Sequence, residues 1–345
     1  MPFSEILGQG PAVAALSRSL MGSRVAHAYL FVGPEGVGKR YMALSFAKAL
    51  NCLQLEADYC GHCPACQKID RLSHPDLHLI EPEGNSLKIE QVRICQREIA
   101  FRPWEGRTKV VILDGADKMT PEAASALLKT LEEPPASTVL ILTASSELSL
   151  LPTITSRCRL IRLGPLDRAV IAEILVRERL LEPSQASLLA SLAQGRLGKA
   201  LSLDLKSTLE LRDQAWRLLE PPKGSPPAIF LLQAARERAK ERESLAALLS
   251  MLALLVRDLV VSACRAEDPL LLNGDLASQL KALTQGISPR SALKIWDAIV
   301  EAQRLFQQNA NGQLLLEATL ARIYHILGYF EVHESGARCQ DQAQR

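Results

Sequence analysis

The sequence predicts an α/β phosphate-loop domain with a parallel sheet, followed by a small helical domain and a larger all-α domain. Three observations carry this reading. Apolar strands alternate with amphipathic helices in the first half, a glycine loop ending in lysine joins the first of those strands to the next helix, and strand patterns cease after Gly164-Pro165. With 345 residues, 48% apolar and 23% charged, the chain is long enough for two or three domains with real cores. A net charge of +2 excludes nucleic-acid binding by bulk electrostatics, and 4% aromatic residues exclude base stacking as a main activity.

Ala28-Tyr29-Leu30-Phe31-Val32 reads as a buried strand, and a helical pattern follows from Arg40 to Leu50. Lys109 to Leu113 and Thr138 to Leu142 are two further apolar strands, so parallel pairing across helical crossovers is expected. Between them a helix runs from Pro121 to Glu132, with Thr120 as N-cap and Pro134-Pro135 as its stop. From Asp167 the apolar spacing is helical, in short segments to Leu201 and longer ones to Phe330, interrupted by the proline-rich stretch from Glu220 to Pro227. The expected boundaries are 1–165 for the α/β domain, 166–205 and 206–333 for the helical domains, and 334–345 for a polar, disordered tail. Leu245 to Val256 is the one stretch apolar enough to suggest a membrane span, but it is short and ends at Arg257 and Asp258, which favours a buried core helix in a cytoplasmic protein with no membrane contact. The leucines of this stripe, Leu248, Leu252, Leu255 and Leu259, are expected in the core rather than at an interface.

The loop Gly33-Pro34-Glu35-Gly36-Val37-Gly38-Lys39 has the context of a phosphate cradle. Gly33, Gly36 and Gly38 let backbone N–H groups turn inward, the helix N-terminus adds positive potential, and Lys39 can reach terminal phosphates. The next residue in such loops supplies a hydroxyl to magnesium, but here it is Arg40. Asp114, at the end of the strand Val110 to Leu113, either orients a magnesium ion or caps the following segment, and the glutamate expected after it is replaced by Gly115. ATP binding therefore stays open while hydrolysis is disfavoured.

Four of the eight cysteines cluster as C-x7-C-x2-C-x2-C at Cys52, Cys60, Cys63 and Cys66. Short paired spacings let one turn present two sulfurs to one ion, and four thiolates close a tetrahedral Zn2+ shell with no open position, so a structural zinc module is expected over 52–66. His62 reads as a loop residue rather than a ligand.

Several phrases together resemble the AAA+ clamp-loader family of bacterial DNA polymerase III. They are Ile6-Leu7-Gly8-Gln9, His27-Ala28-Tyr29-Leu30-Phe31, the phosphate loop, the four cysteines, the run from Ala126 to Pro135, and Ser156-Arg157-Cys158. The resemblance implies a helical lid after the sheet domain and a helical collar that assembles a five-subunit ring. It implies as partners the catalytic ATPase subunits and a delta-like subunit, with the sliding clamp and primed DNA reached through the complex. It also implies that Arg157 acts in trans as an arginine finger on a neighbour's ATP. In Gly195-Arg196-Leu197-Gly198-Lys199-Ala200-Leu201, Gly198 stands where the resemblance implies an arginine in catalytic members, and Thr143 and Ser145 fall in the region of a nucleotide-sensing position or are only loop formers. The losses at Arg40, Gly115 and Gly198 point to a non-hydrolysing subunit, with no ATPase of its own but part of the polymerase holoenzyme. The alternatives are an ATP-hydrolysing loader subunit or related AAA+ ATPase, which the same losses oppose, and a zinc-dependent transcription regulator, which would need a basic recognition helix after the cysteines.

Overall fold

The structure, a computed structural model, describes the chain except residues 1, 2, 4, 5, 23, 222–225, 265–269 and 331–345. The expected tail 334–345 and the centre of the proline-rich stretch lie outside the described residues. The chain divides into two compact units, Met1–Ser202 and Leu203–Arg345.

In the first unit, α1 (Gly10–Met21) precedes β1 (Ala28–Val32), and α2 (Lys39–Asn51) leads through α3 (Pro64–Asp70) to β2 (Leu77–Ile80). Then come α4 (Ile89–Ile99), β3 (Lys109–Leu113), α5 (Pro121–Glu132), β4 (Thr138–Ala144), α6 (Pro152–Thr155) and β5 (Arg159–Arg162). The strands form one parallel sheet in the order β2-β3-β4-β1-β5. Every residue of β1, β3 and β4 is buried, and successive side chains alternate between two cores. Tyr29, Phe31, Val110, Ile112, Val139 and Ile141 pack on one face with α1 and α2, while Leu30, Val111, Leu113, Leu140 and Leu142 pack on the other with α4 and α5. A strand covered on both faces must be apolar throughout, which is why these three read as continuous runs.

The helix after the phosphate loop starts at Lys39 and the one after Thr120 starts at Pro121, where the Thr120 hydroxyl accepts from Ala123 N–H. The same unit carries α7 (Arg168–Arg179), α8 (Pro183–Ala193) and α9 (Leu197–Ser202). Gln9 ties the chain start to the sheet's exit: its amide donates to Gly164 O at 2.8 Å and accepts from Gly164 N–H at 3.3 Å.

The second unit is helical among its described residues: α10 (Leu205–Leu219), α11 (Pro227–Arg238), α12 (Arg242–Ala263), α13 (Ala277–Leu283), α14 (Pro289–Gln307) and α15 (Gly312–Ile326). The long apolar helix α12 packs against α10, α13 and α14, and Leu248, Leu252, Leu255 and Leu259 are buried. It does not stop at Arg257 and Asp258. The Asp258 carboxylate is fully buried and accepts from Leu272 N–H, Asn273 N–H and Asn273 Nδ2, with Arg257 at 2.8 Å, so the charge is satisfied inside the helix pack.

Candidate functional site

Parallel strands deliver their C-terminal ends to one edge of the sheet, where ligands of open α/β folds bind. Here that edge collects the phosphate loop after β1, Thr143 near the end of β4, Asp114 after β3 and Glu81 after β2. Together they line a cleft of about 570 Å3.

The loop turns through left-handed backbone at Gly36 (φ +78°) and Gly38 (φ +101°). Gly33 is required by a close approach, since a Cβ there would lie 2.3 Å from Leu163 O. Lys39 Nζ donates to the carbonyls of Gly33 (2.7 Å) and Pro34 (3.0 Å). Burial lowers its pKa from the ordinary lysine value, opposed by Asp117, Asp114 and Glu35. The lid residue Gly198 donates its N–H to Gly36 O at 2.7 Å, and a Cβ on Gly198 would stand 3.2 Å from Gly36 Cα and O. Gly198 is thus the residue that lets the α9 backbone touch the loop.

Arg40 turns into the cleft, pairs with Glu81 and reaches Asp114 Oδ2 at 3.7 Å. Thr143 Oγ1 donates to Asp114 Oδ1 (2.6 Å) and accepts from Gly115 N–H (2.9 Å), so this threonine is a strand residue engaged with the acidic group rather than a loop former. Ser145 donates through N–H (3.0 Å) and Oγ (2.5 Å) to Asp117. Phosphate-loop proteins that hydrolyse hold magnesium with the hydroxyl after the lysine and the strand aspartate. This chain presents a guanidinium against that aspartate instead, a donor set that does not fit a divalent cation.

Arg157 lies on the other side of the sheet. It follows α6 and precedes β5, so it sits at the edge where the parallel strands begin. A five-residue strand spans about 15 Å, which separates it from the chain's own loop. Its guanidinium pairs with Glu132 Oε1 (2.7 Å) and donates to Thr153 O (2.8 Å), and about a third of the side chain is exposed. Cys158 is partly buried against the core that α4 and α5 cover, and burial pushes its thiol up to about 12. The triplet therefore has a cysteine packed on the core and an arginine that is part-exposed.

The cysteine module joins the end of α2 to the start of α3. Cys52 follows the last residue of α2, Cys63 caps α3, Cys66 lies in its first turn, and all four sulfurs fall within 4.8 Å of one another. Backbone N–H groups of Leu55 and Cys63 donate to Cys52 Sγ and Cys60 Sγ. Burial opposes ionisation of Cys63, but hydrogen bonds from the Cys66 and Leu53 backbone and from neighbouring thiols bring it down to about 6. This donor set can hold one metal ion through Cys52, Cys60, Cys63 and Cys66. His62 is exposed and bound through Nδ1 to Cys60 O, outside the cluster.

Sequence reasoning missed Glu81 as the partner of Arg40 and Glu132 as the partner of Arg157. Glu132 lay in the quoted run ending at Pro135, but nothing in its spacing tied it to an arginine 25 residues on. Glu81 follows a four-residue strand, Leu77–Ile80, whose apolar run is broken by His78.

The five-stranded parallel sheet, the loop between β1 and α2, the strand-end Asp114 and the lid helices place this chain in the AAA+ class of phosphate-loop proteins. A solved gamma-subunit-related protein of DNA polymerase III from Thermotoga maritima has the same fold, with TM-score 0.51 and 20% identity over 91% of this chain and 99% of that one. Residues 8–167 match the family model for the DNA polymerase III delta subunit, and residues 229–325 match its C-terminal model. The delta-prime subunit of Bacillus subtilis is 34% identical over 88% of this chain and 92% of its own length. That of Pseudomonas aeruginosa is 43% identical over 41% of this chain and 44% of its own. The tau subunit of Escherichia coli is 31% identical, with 93% of this chain covered but only 53% of tau. The chain belongs to the DNA polymerase III delta-prime subunit family.

Proposed function

We propose that this chain is a non-hydrolysing subunit of the clamp loader, and that its catalytic contribution is Arg157, offered in trans to the ATP of a neighbouring catalytic subunit. The observation that carries the reading is the placement of the two arginines. Arg40 fills the chain's own site, whereas Arg157 stands at the opposite edge, part-exposed and out of reach of that site. A guanidinium stays charged and can bridge phosphate oxygens as charge moves onto them in phosphoryl transfer, so an outward arginine suits a partner's nucleotide. In this reading the chain works in the cytoplasm as part of the polymerase holoenzyme. It sits in a five-subunit ring with catalytic and delta-like subunits, and it acts on the sliding clamp and primed DNA through that ring.

The isolated chain is expected to turn over ATP negligibly, because it lacks the metal-binding hydroxyl, the glutamate after Asp114 and the lid arginine. Steady-state phosphate release checks this, and turnover that disappears in Lys39→Ala would instead favour the ATPase reading. The four cysteines we assign to structural Zn2+, since a closed thiolate shell suits zinc and leaves no position for chemistry. Elemental analysis of protein prepared without chelators is expected to find one zinc per chain, and its absence would remove the assignment.

A further inference from the structure

The connection from α4 to β3 carries no helix or strand, yet it bears two of the most exposed aromatic side chains among the described residues, Phe101 (71%) and Trp104 (87%). The backbone beneath them is firmly held. Trp104, Glu105 and Gly106 donate their N–H groups to the buried Asp76 carboxylate. Asn51, also buried, both accepts from Thr108 N–H (3.0 Å) and donates to Thr108 O (2.9 Å). Gly106 is required by this closeness, since a Cβ there would lie 2.6 Å from Asn51 Oδ1 and 3.2 Å from Asp76 Oδ2.

Two of the residues that hold the loop flank the cysteine module. Asn51 ends α2 and precedes Cys52, while Lys68 lies in α3, two residues after Cys66. The Lys68 ammonium donates to both carboxylate oxygens of Glu105 (2.8 and 2.7 Å), and His74 Nε2 stands 3.5 Å from the same group. Between Cys52 and Cys63 the chain forms no helix or strand, and α3 has seven residues, too few to persist without tertiary support. The Lys48–Asp70 ion pair at 2.7 Å secures only the far end of α3. An ion held by Cys52, Cys63 and Cys66 ties the end of α2 to the start of α3, and so fixes Asn51 and Lys68 relative to each other.

We propose that metal in the cysteine module locks the aromatic loop: with the ion bound, Asn51 and Lys68 pin residues 104–108, and without it the loop that carries Phe101 and Trp104 is released. The proposal rests on the reading of the four cysteines as a zinc site and gives that site a conformational consequence at a distance from its ligands.

The test is hydrogen–deuterium exchange of the full chain, read by mass spectrometry before and after zinc is removed with a chelator, with zinc content measured on the same samples. Exchange over residues 101–108 is expected to quicken about tenfold or more on chelation, while β1, β4 and the helices α10 to α15 keep their protection. Lys68→Met removes the ammonium from a half-exposed side chain and leaves the ligands intact. It should retain zinc, exchange faster than the native chain across the loop, and respond less to chelation, because one link is already cut. Asn51→Ala should act in the same way at Thr108. A zinc-loaded chain whose loop is unchanged by chelation, a loop that loosens only together with β1 and β4, or a Lys68→Met chain that responds to chelation as the native one does would each overturn the proposal. A native chain that holds no zinc would overturn the zinc reading itself, and the lock with it.

Discussion

The two edges of one sheet treat charge in opposite ways. At the edge where strands end, Arg40, Glu81, Asp114 and Thr143 turn toward one another and close a network inside the cleft. At the edge where strands begin, Arg157 meets a single carboxylate, Glu132, and stays part-exposed. A cation neutralised from two sides in a cleft is committed to its own fold, whereas a surface ion pair is worth little and is easily exchanged. The difference teaches that loss of catalytic groups at one edge need not make the chain inert, because the other edge is built independently of it.

The largest effect that separates the edges comes from Gly33→Ala. Its Cβ would collide with Leu163 O, a backbone atom that cannot swing aside, so the loop edge should lose about 2–3 kcal/mol. Thermal melting is expected to show a lowered midpoint for the variant, and an unchanged midpoint would mean that the loop is not locked to the end of β5.

A smaller effect acts on the strand-start edge through pH. Asp76, just before β2, is buried, and burial alone would raise its pKa. The N–H groups of Trp104 (2.6 Å), Gly106 (2.7 Å) and Glu105 (2.9 Å) outweigh that and hold its carboxyl below the usual carboxylate value. His74 and His78 are also lowered, by burial first. A depressed folded-state pKa means stability that is complete above the unfolded value and lost as pH falls through the folded one. Loss should therefore begin below about pH 6.5 as the histidines charge and continue below about pH 3.9 as Asp76 protonates. Urea melts across this range check it. Asp76→Asn should be less stable than the native chain at neutral pH, with the gap narrowing in acid.

The sequence made the centre of the molecule legible and its margins less so. Strands β1, β3 and β4 announce themselves because both faces are covered, so every residue is apolar or buried. The edge strands do not: Leu77–Ile80 carries His78, and Arg159–Arg162 exposes both terminal arginines. That is why Glu81, which follows β2, could not be matched with Arg40 from spacing alone. The cysteine module was readable because its ligand spacing is local, while the Arg157–Glu132 pair depends on where α5 ends relative to β5, which only the folded sheet fixes. In the helical unit, periodicity marked the buried leucines of α12, but Asp258 read as the end of an apolar run because its partners, Leu272 and Asn273, lie 14 and 15 residues further along the chain.

The most direct measurement is ATP turnover and clamp loading by a full complex assembled with the Arg157→Ala chain. The ring should assemble normally, because the part-exposed Arg157 guanidinium is tied to its own fold by a surface ion pair with Glu132 and by hydrogen bonds to Thr153 O and Ser156 Oγ close to it in sequence. Hydrolysis at the neighbouring site should fall by about a hundredfold or more, consistent with the known worth of arginine fingers, and clamp loading should fall with it. Turnover and loading equal to those of the native complex, in a correctly assembled ring, would contradict the account and leave this chain as a scaffold alone.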